Sequence, residues 1–409
     1  MNDLKQHLRH SFDELKSVVQ FRSQSSQLDW LLTDSRLYIP DYFVFNQLGR
    51  TKTQQWCNRL SSRYLGMMWH RYVYPKITGP LMTTLTNRFM PLIASQSQLP
   101  LSDRFVYDDS FLTVIHDLFL LNRPENPLLT YTDLFWFMTE VLTAYRSLHD
   151  VSSDIFLEDK QEQTEFGQAV YNEVRSVVLS HADPYLLALG LATLGNWVDS
   201  MEPDVRAIMN RLNDDISNSV DDEIPYTSHS FFDVSSFKQL VSGHPRHILY
   251  ELDNHGEVWL DLILIELLLT DGHRITLAAK SKPIVNDVTI TDLNNLLTAS
   301  CLSHLSVYLE SGQLSVVATG SQMTGQHVFW ASAAYKVAYS ESDFVILKGQ
   351  GNFATKPIGT YYQGQFRPYS YRKPMVYMMV VKADLIMMCL SAAFPHHRFG
   401  KGDLFLKVC

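Results

Sequence analysis

The 409-residue chain has no run of lysine and arginine, no paired-cysteine motif, no internal repeat and no long uncharged apolar stretch. Each absence excludes something. With 34 basic and 43 acidic residues the formal charge is −9, so neither nucleic acid nor an anionic membrane is expected as a partner. Cys57, Cys301, Cys389 and Cys409 are widely spaced, which argues against a zinc site or a disulfide framework and fits a reducing compartment. The most apolar segment, Val258 to Leu269, contains Asp261 and Glu266 and is too short to span a bilayer. Met1 to His7 carries no apolar core of signal-peptide type. These features lead us to expect a soluble, cytoplasmic protein with no obligate protein partner, and delivery into a host cell does not conflict with them.

What is present is an ordinary globular balance, 46% apolar and 19% charged, on a chain long enough for two or three domains. Over residues 1 to 225 apolar side chains recur at three- and four-residue spacing, as in Trp56, Leu60, Tyr64, Met67 and Met68. That is the stripe of packed helices, and the plain account of it is core. An acidic stretch, Asn213 to Glu223, precedes Pro225 and reads as a solvated linker. From about 240 the period changes. Short apolar runs near 248–252, 275–280, 314–318, 343–347 and 375–381 alternate with helical stretches near 257–270, 291–301, 327–340 and 384–392. Such alternation argues a mostly parallel sheet with helices on both faces. We expect an α/β three-layer sandwich, Rossmann-like, over 226–409, preceded by an all-helical domain over 1–225 that covers the active-site cleft.

Three polar clusters follow apolar runs in this half: Asp253-Asn254-His255-Gly256, Asn286-Asp287 and Lys348-Gly349-Gln350-Gly351-Asn352. Ligands of open α/β sheets sit outside the carboxyl ends of the strands, where all three clusters fall. Carboxylates and carboxamides suit a hard divalent cation. A lysine among glycines suits a phosphate. The plain alternatives are a helix cap at Asp253 and Asn254 and a glycine-rich turn at Lys348. The pentapeptide is no Walker loop, since no Lys-Ser/Thr pair follows at the required position. Asp253 lacks a second aspartate two positions on, where His255 stands, so a haloacid-dehalogenase type of aspartyl nucleophile is disfavoured.

In order and spacing these segments resemble the damage-control phosphatase family, once known only as a domain of unknown function. Leu252-Asp253-Asn254-His255-Gly256-Glu257 is similar to its Asp-Asn-x-Gly-Glu turn, with Asp261 to Leu268 as the helix after it. Lys282-Pro283-Ile284-Val285-Asn286-Asp287-Val288-Thr289 resembles its Lys-Pro-Ile-x-Asn-Asp-x-Thr segment. Gly320-Ser321 with Gly325, Ser342 to Phe353 and Val381-Lys382-Ala383 resemble later loops, and Gly195-Asn196-Trp197-Val198-Asp199 an upstream element. Ala354 stands where the family usually has Glu, Met379-Val380 where one branch has Arg-Thr, and the paired cysteines of archaeal members are missing. The resemblance implies a metal-dependent phosphohydrolase of small phosphorylated metabolites, such as sugar phosphates or phosphopantetheine-like compounds. It implies Asp253, Asn254 and Asp287 as holders of Mn2+, Mg2+, Ni2+ or Co2+. Catalysis would fall to these residues and Lys348. Asn196, Gly320, Ser321, Lys348, Gly349, Asn352 and Lys382 would bind substrate. Two other readings stay open: a protein carboxyl methyltransferase, disfavoured by the lack of a glycine-rich methyl-donor loop, and a catalytically silent phospho-ligand binding module.

Overall fold

A computed structural model describes residues 10, 11, 13, 14, 17, 30–33, 136, 140, 154, 156–198, 231–326, 330–362 and 365–409. The chain divides into two compact units, one of residues 1–25, 39–157 and 361–365, the other of 26–38, 158–360 and 366–409. Everything below concerns the second unit. Nearly all of the expected all-helical region before residue 150, and the expected boundary near 225, lie outside the described residues. Helices α1 (Leu157–Ser180) and α2 (Pro184–Val198), expected in the helical domain, fall almost entirely in the same unit as the sheet.

Seven strands form one sheet. They are β1 (Phe231–Phe232), β2 (His247–Glu251), β3 (Arg274–Ala279), β4 (Leu314–Ala318), β5 (Phe344–Lys348), β8 (Met375–Val380) and β9 (Leu404–Val408), in the order β1-β9-β8-β5-β2-β3-β4. All neighbouring pairs are parallel except β8 with β9. Two short strands, β6 (Gly359–Tyr362) and β7 (Gln365–Pro368), pair separately. The alternating apolar runs of the sequence thus become a mostly parallel sheet, as expected. β9 was not anticipated: Leu404-Phe405-Leu406 is short and lies at the chain's end, beyond the alternating pattern.

Every residue of β2, β5 and β8 is buried, which requires cover on both faces. On one face Ile248 and Tyr250 join a core with Leu187, Leu191 and Leu194 of α2 and with helix α4 (Val258–Thr270). On the other, Phe353 of the short helix α8 (Gly349–Thr355) stacks edge-on against Tyr377 at 5.5 Å, and Tyr335 of α7 (Ala333–Glu341) donates its hydroxyl to Glu251.

α4 is apolar nearly all round and buried nearly all round, because α1 and α2 lie over it. Gly167 of α1 lets the two helices close up, since a Cβ there would come within 2.1 Å of the Trp259 ring. Burial of each Leu or Ile on α4 contributes about 1.5–3 kcal/mol. The same burial forces its carboxylates to find partners: Glu266 takes Arg175 Nε at 2.6 Å, and Asp261 takes Lys348 Nζ at 2.9 Å.

The strand order reverses between β2 and β5. From β2 the chain steps outward through β3 to β4, then returns to place β5 on the other side of β2. Such a switch point opens a crevice at the carboxyl ends of the two strands.

Candidate active site

Asp253 and Asn254 leave the carboxyl end of β2, and Asp287 lies in the loop after β3. The backbone stitches the two loops together. Val288 N donates to Asp253 O at 2.9 Å and His255 N to Asn286 O at 2.8 Å, while Asn254 and Asp287 form an antiparallel bridge. The second loop is held at both ends. Val285 sits at φ 48, a left-handed conformation that a β-branched residue rarely adopts and that marks strain at a site. Just beyond, Thr289 and Asp292 form a reciprocal capping box with bonds of 3.0 and 3.1 Å. This box starts helix α5 (Ile290–Leu296), a device that contributes about 1 kcal/mol.

Asp253 and Asp287 are 6% and 3% exposed. Burial, then the neighbouring charges of Asp287 and Glu257, push the Asp253 carboxyl well above the usual range against the pull of Lys280 and Lys382. Asp287 is pushed up to about 6, chiefly by burial, against Lys280 and Lys160. Asp287 raises Asp253 and Glu257 raises both, so this buried acid cluster calls for a positive charge beside it. Asp287 Oδ2 accepts no hydrogen bond; the Lys280 ammonium stands 3.6 Å from it. Asn254 donates Nδ2 to Glu257 Oε1 at 2.7 Å, which leaves its Oδ1 as an acceptor on the other side. Among the described residues no group of three His, Cys, Asp or Glu side chains gathers as a metal cluster. A set of two carboxylates and one carboxamide is instead the sparse, hard-oxygen set that suits Mg2+ or Mn2+, which keep water or substrate oxygens as further ligands. The residues present fit such a cation.

Gly349 faces this pair from β5. Its φ is +73, and a Cβ on it would lie 1.7 Å from Asp253 Oδ2. The bare backbone is what lets the carboxylate rest against the start of α8, so Gly349 shapes the site through its missing side chain.

Lys348 and Asn352 do a different job from the one expected. The Lys348 ammonium is fully buried and bonds to Glu257 Oε2 at 3.1 Å, Asp261 Oδ1 at 2.9 Å and Ala192 O. These three acceptors use its three protons. Burial disfavours its charge, but Asp261 and Glu257 outweigh this and hold its pKa above the ordinary lysine value. It is therefore a buried counter-ion that fixes Glu257, and through it Asn254. Asn352 is also consumed internally: Oδ1 accepts from Gln326 N at 2.8 Å, and Nδ2 donates to Lys348 O at 2.9 Å and Leu252 O at 3.1 Å. The pentapeptide is less a phosphate-cradling loop than a strand end and a short helix. Close packing explains its second glycine, since a Cβ on Gly351 would fall 2.7 Å from Gly325 N.

Gly320 and Ser321 likewise serve loop geometry. Gly320 has φ +86, and a Cβ there would strike Trp330 O at 2.0 Å. The Ser321 hydroxyl is buried and donates to Gly325 O at 2.9 Å. Lys382 is half-buried, its charge lowers the pKa of Asp253, and its backbone N–H is anchored by Gln350 Oε1 at 3.1 Å. Asn196 lies on α2, near whose end Gly195 comes close to Glu257. The side chain of Asn196 and all of Asp199 lie outside the described residues.

Sequence reasoning did not single out Glu257, Asp261 or Lys280. Glu257 and Asp261 are one helical turn apart on an apolar helix, a signal of buried charge needing a partner. Lys280 directly follows β3, masked by the neighbouring Lys282-Pro283 segment.

The damage-control phosphatase ARMT1-like domain model matches residues 9–393. A damage-control phosphatase of Pyrococcus horikoshii is 28% identical over 207 residues, which cover 50% of this chain and 63% of that protein. The chain thus matches less than two thirds of that relative's length. A damage-control phosphatase of Archaeoglobus fulgidus is 20% identical over 255 residues, 62% of this chain and 76% of that one. A crystal structure of a domain-of-unknown-function-89 family protein from Pyrococcus horikoshii superposes with a TM-score of 0.55 at 20% identity, over 81% of this chain and 98% of that one, which shows a shared fold. With the model match running over nearly the whole chain, this protein belongs to the damage-control phosphatase ARMT1-like domain family.

Proposed function

We propose that the protein is a metal-dependent phosphohydrolase acting on small phosphorylated metabolites, a house-cleaning activity in keeping with the names of its relatives. The observation that carries this reading is the buried Asp253–Asp287 pair at the switch point, with lysines on its flank and carboxyls raised chiefly by burial. Asp253, Asn254 and Asp287 would hold a divalent cation. When bound, such a cation supplies Lewis-acid polarisation of a phosphoryl oxygen.

The chain's own residues do the rest. Glu257 and Lys348 fix the orientation of Asn254 from behind, so that its oxygen needs no reorganisation when a charged ligand arrives. Lys382, half-buried on the β8 side, offers its ammonium to a phosphate oxygen. The strand-end crevice restricts water around both, which strengthens every charge interaction within it.

The test is phosphate release from a panel of phosphate esters with Mn2+ or Mg2+ and with chelator. Turnover that depends on metal and disappears in Asp253→Asn supports the reading. Equal turnover in chelator, or a wild-type Asp253→Asn, contradicts it.

A further inference from the structure

Among the described residues four lysines are buried: Lys160, Lys280, Lys348 and Lys356. Three are in contact ion pairs. Lys160 meets Asp292 at 2.8 Å, Lys348 meets Asp261 at 2.9 Å and Lys356 meets Glu251 at 2.8 Å. Lys280 differs. It is 2% exposed, yet its ion-pair partner Asp287 stands at 3.6 Å, beyond hydrogen-bond length. Removing an ammonium from water costs several kcal/mol unless acceptors replace the lost hydration. With the Asp287 oxygen beyond hydrogen-bond length, the N–H donors of Lys280 beside the two carboxylates suit an anionic acceptor.

The position is built, not accidental. Lys280 N donates to Val288 O at 3.0 Å, and the same Val288 donates its N–H to Asp253 O at 2.9 Å. Ile290 N bonds to Lys280 O at 2.9 Å, and Lys280 pairs with Thr289 in a parallel bridge. The backbone of Lys280 is therefore fixed relative to both carboxylates before any ligand arrives, the preorganisation that a charge-stabilising contact needs.

We propose that Lys280 is a phosphate-binding residue of this site, its ammonium bonding an oxygen of the phosphoryl group opposite Lys382. This deepens the phosphohydrolase reading and rests on it. It also supplies the positive group that Lys348, spent on Glu257 and Asp261, does not.

The experiment titrates inorganic phosphate into the full-length protein with saturating Mn2+, and separately titrates Mn2+ alone. Lys280→Met should bind phosphate at least tenfold more weakly, while Mn2+ binds as in wild type or more tightly, because a competing positive charge beside Asp287 is gone. Lys280→Arg, which keeps the charge, should retain phosphate binding within a few fold. If Lys280→Met gives no cooperative thermal transition, Lys280→Gln takes its place with the same expectation. Unchanged phosphate affinity in the neutral variant overturns the proposal: Lys280 would then only balance Asp287. A wild type that binds no phosphate overturns it as well. Failure of the hydrolase reading looks different. A wild type that releases no phosphate from any ester, yet binds phosphate through Lys280, sinks catalysis and upholds this contact.

Discussion

Replacing Gly349 by alanine isolates the geometry of the carboxylate pair from its chemistry, because no charged or polar group is changed. The added Cβ would lie 1.7 Å from Asp253 Oδ2. Ordinary van der Waals separation is about 3.5 Å, so the carboxylate must retreat by roughly 1.5–2 Å or the α8 start must move as far. Misplacement of a reacting or ligating group by about 1 Å costs on the order of 100-fold. We therefore expect metal-dependent phosphate release to fall at least about 100-fold. The left-handed backbone, φ +73, adds about 1–2 kcal/mol of strain for any L side chain, or roughly 2–8 °C in Tm for a unit of this size. The control is Gly312→Ala. Gly312 has φ +75 but nothing within 4 Å of its would-be Cβ, so that variant should carry the same backbone strain without the clash and keep its activity. The assay is phosphate release with Mn2+ alongside calorimetric Tm. Gly349→Ala with near wild-type activity would refute the placement of Asp253, as would equal activity losses in both variants.

Other outcomes follow from the buried charges. Lys348→Met leaves Glu257 and Asp261 buried without their cation, so denaturant unfolding should show a loss of about 3–5 kcal/mol; a loss under about 1 kcal/mol would contradict the saturated ion-pair role. His247 and His273 have pKa values lowered below 6.5, in both cases chiefly by burial. The neutral rings are in use: His247 Nδ1 accepts from Arg274 at 2.7 Å and His273 Nδ1 from Arg246 N at 2.9 Å. Below pH 6.5 the unfolded chain therefore binds more protons than the folded one, and stability should fall as pH drops through 6.5 towards the folded-state values. A Tm-against-pH profile that is flatter in His247→Gln/His273→Gln than in wild type bears this out, and unchanged profiles do not. Asp253→Asn should abolish the rise in Tm that Mn2+ gives the wild type, since ligand binding to the folded state is what raises it; an undiminished rise would place the cation elsewhere.

Comparison of sequence and structure separates two kinds of information. The strands at 247–251, 274–279, 344–348 and 375–380 stand within a residue or so of their expected places, because short β-branched runs bounded by polar residues have few other uses. The meeting of Asp253, Asn254 and Asp287 at one edge of the sheet was also readable, since a parallel sheet sends residues just past strand ends to one edge. The direction of a long side chain was not. Lys348 sits at such an end, yet its four-carbon stem turns back to Glu257 and Asp261 on α4, and only the packing of α4 under α1 and α2 makes that turn necessary. Asn352 was misjudged for a related reason: its carboxamide is the acceptor and donor that joins the β2, β5 and Gln326 backbones, long-range partners that a pentapeptide motif does not reveal. The same long-range pairing hides Lys280, whose importance lies in the bond each side of Val288.

The central claim is that Asp253, Asn254 and Asp287 together hold a divalent cation, and anomalous diffraction from crystals grown with Mn2+ tests it most directly. We expect one strong peak bridging the two carboxylates, about 2.0–2.2 Å from an oxygen of each and from Asn254 Oδ1. A fully occupied peak away from Asp253 and Asp287, or none at all at saturating Mn2+, would contradict the account.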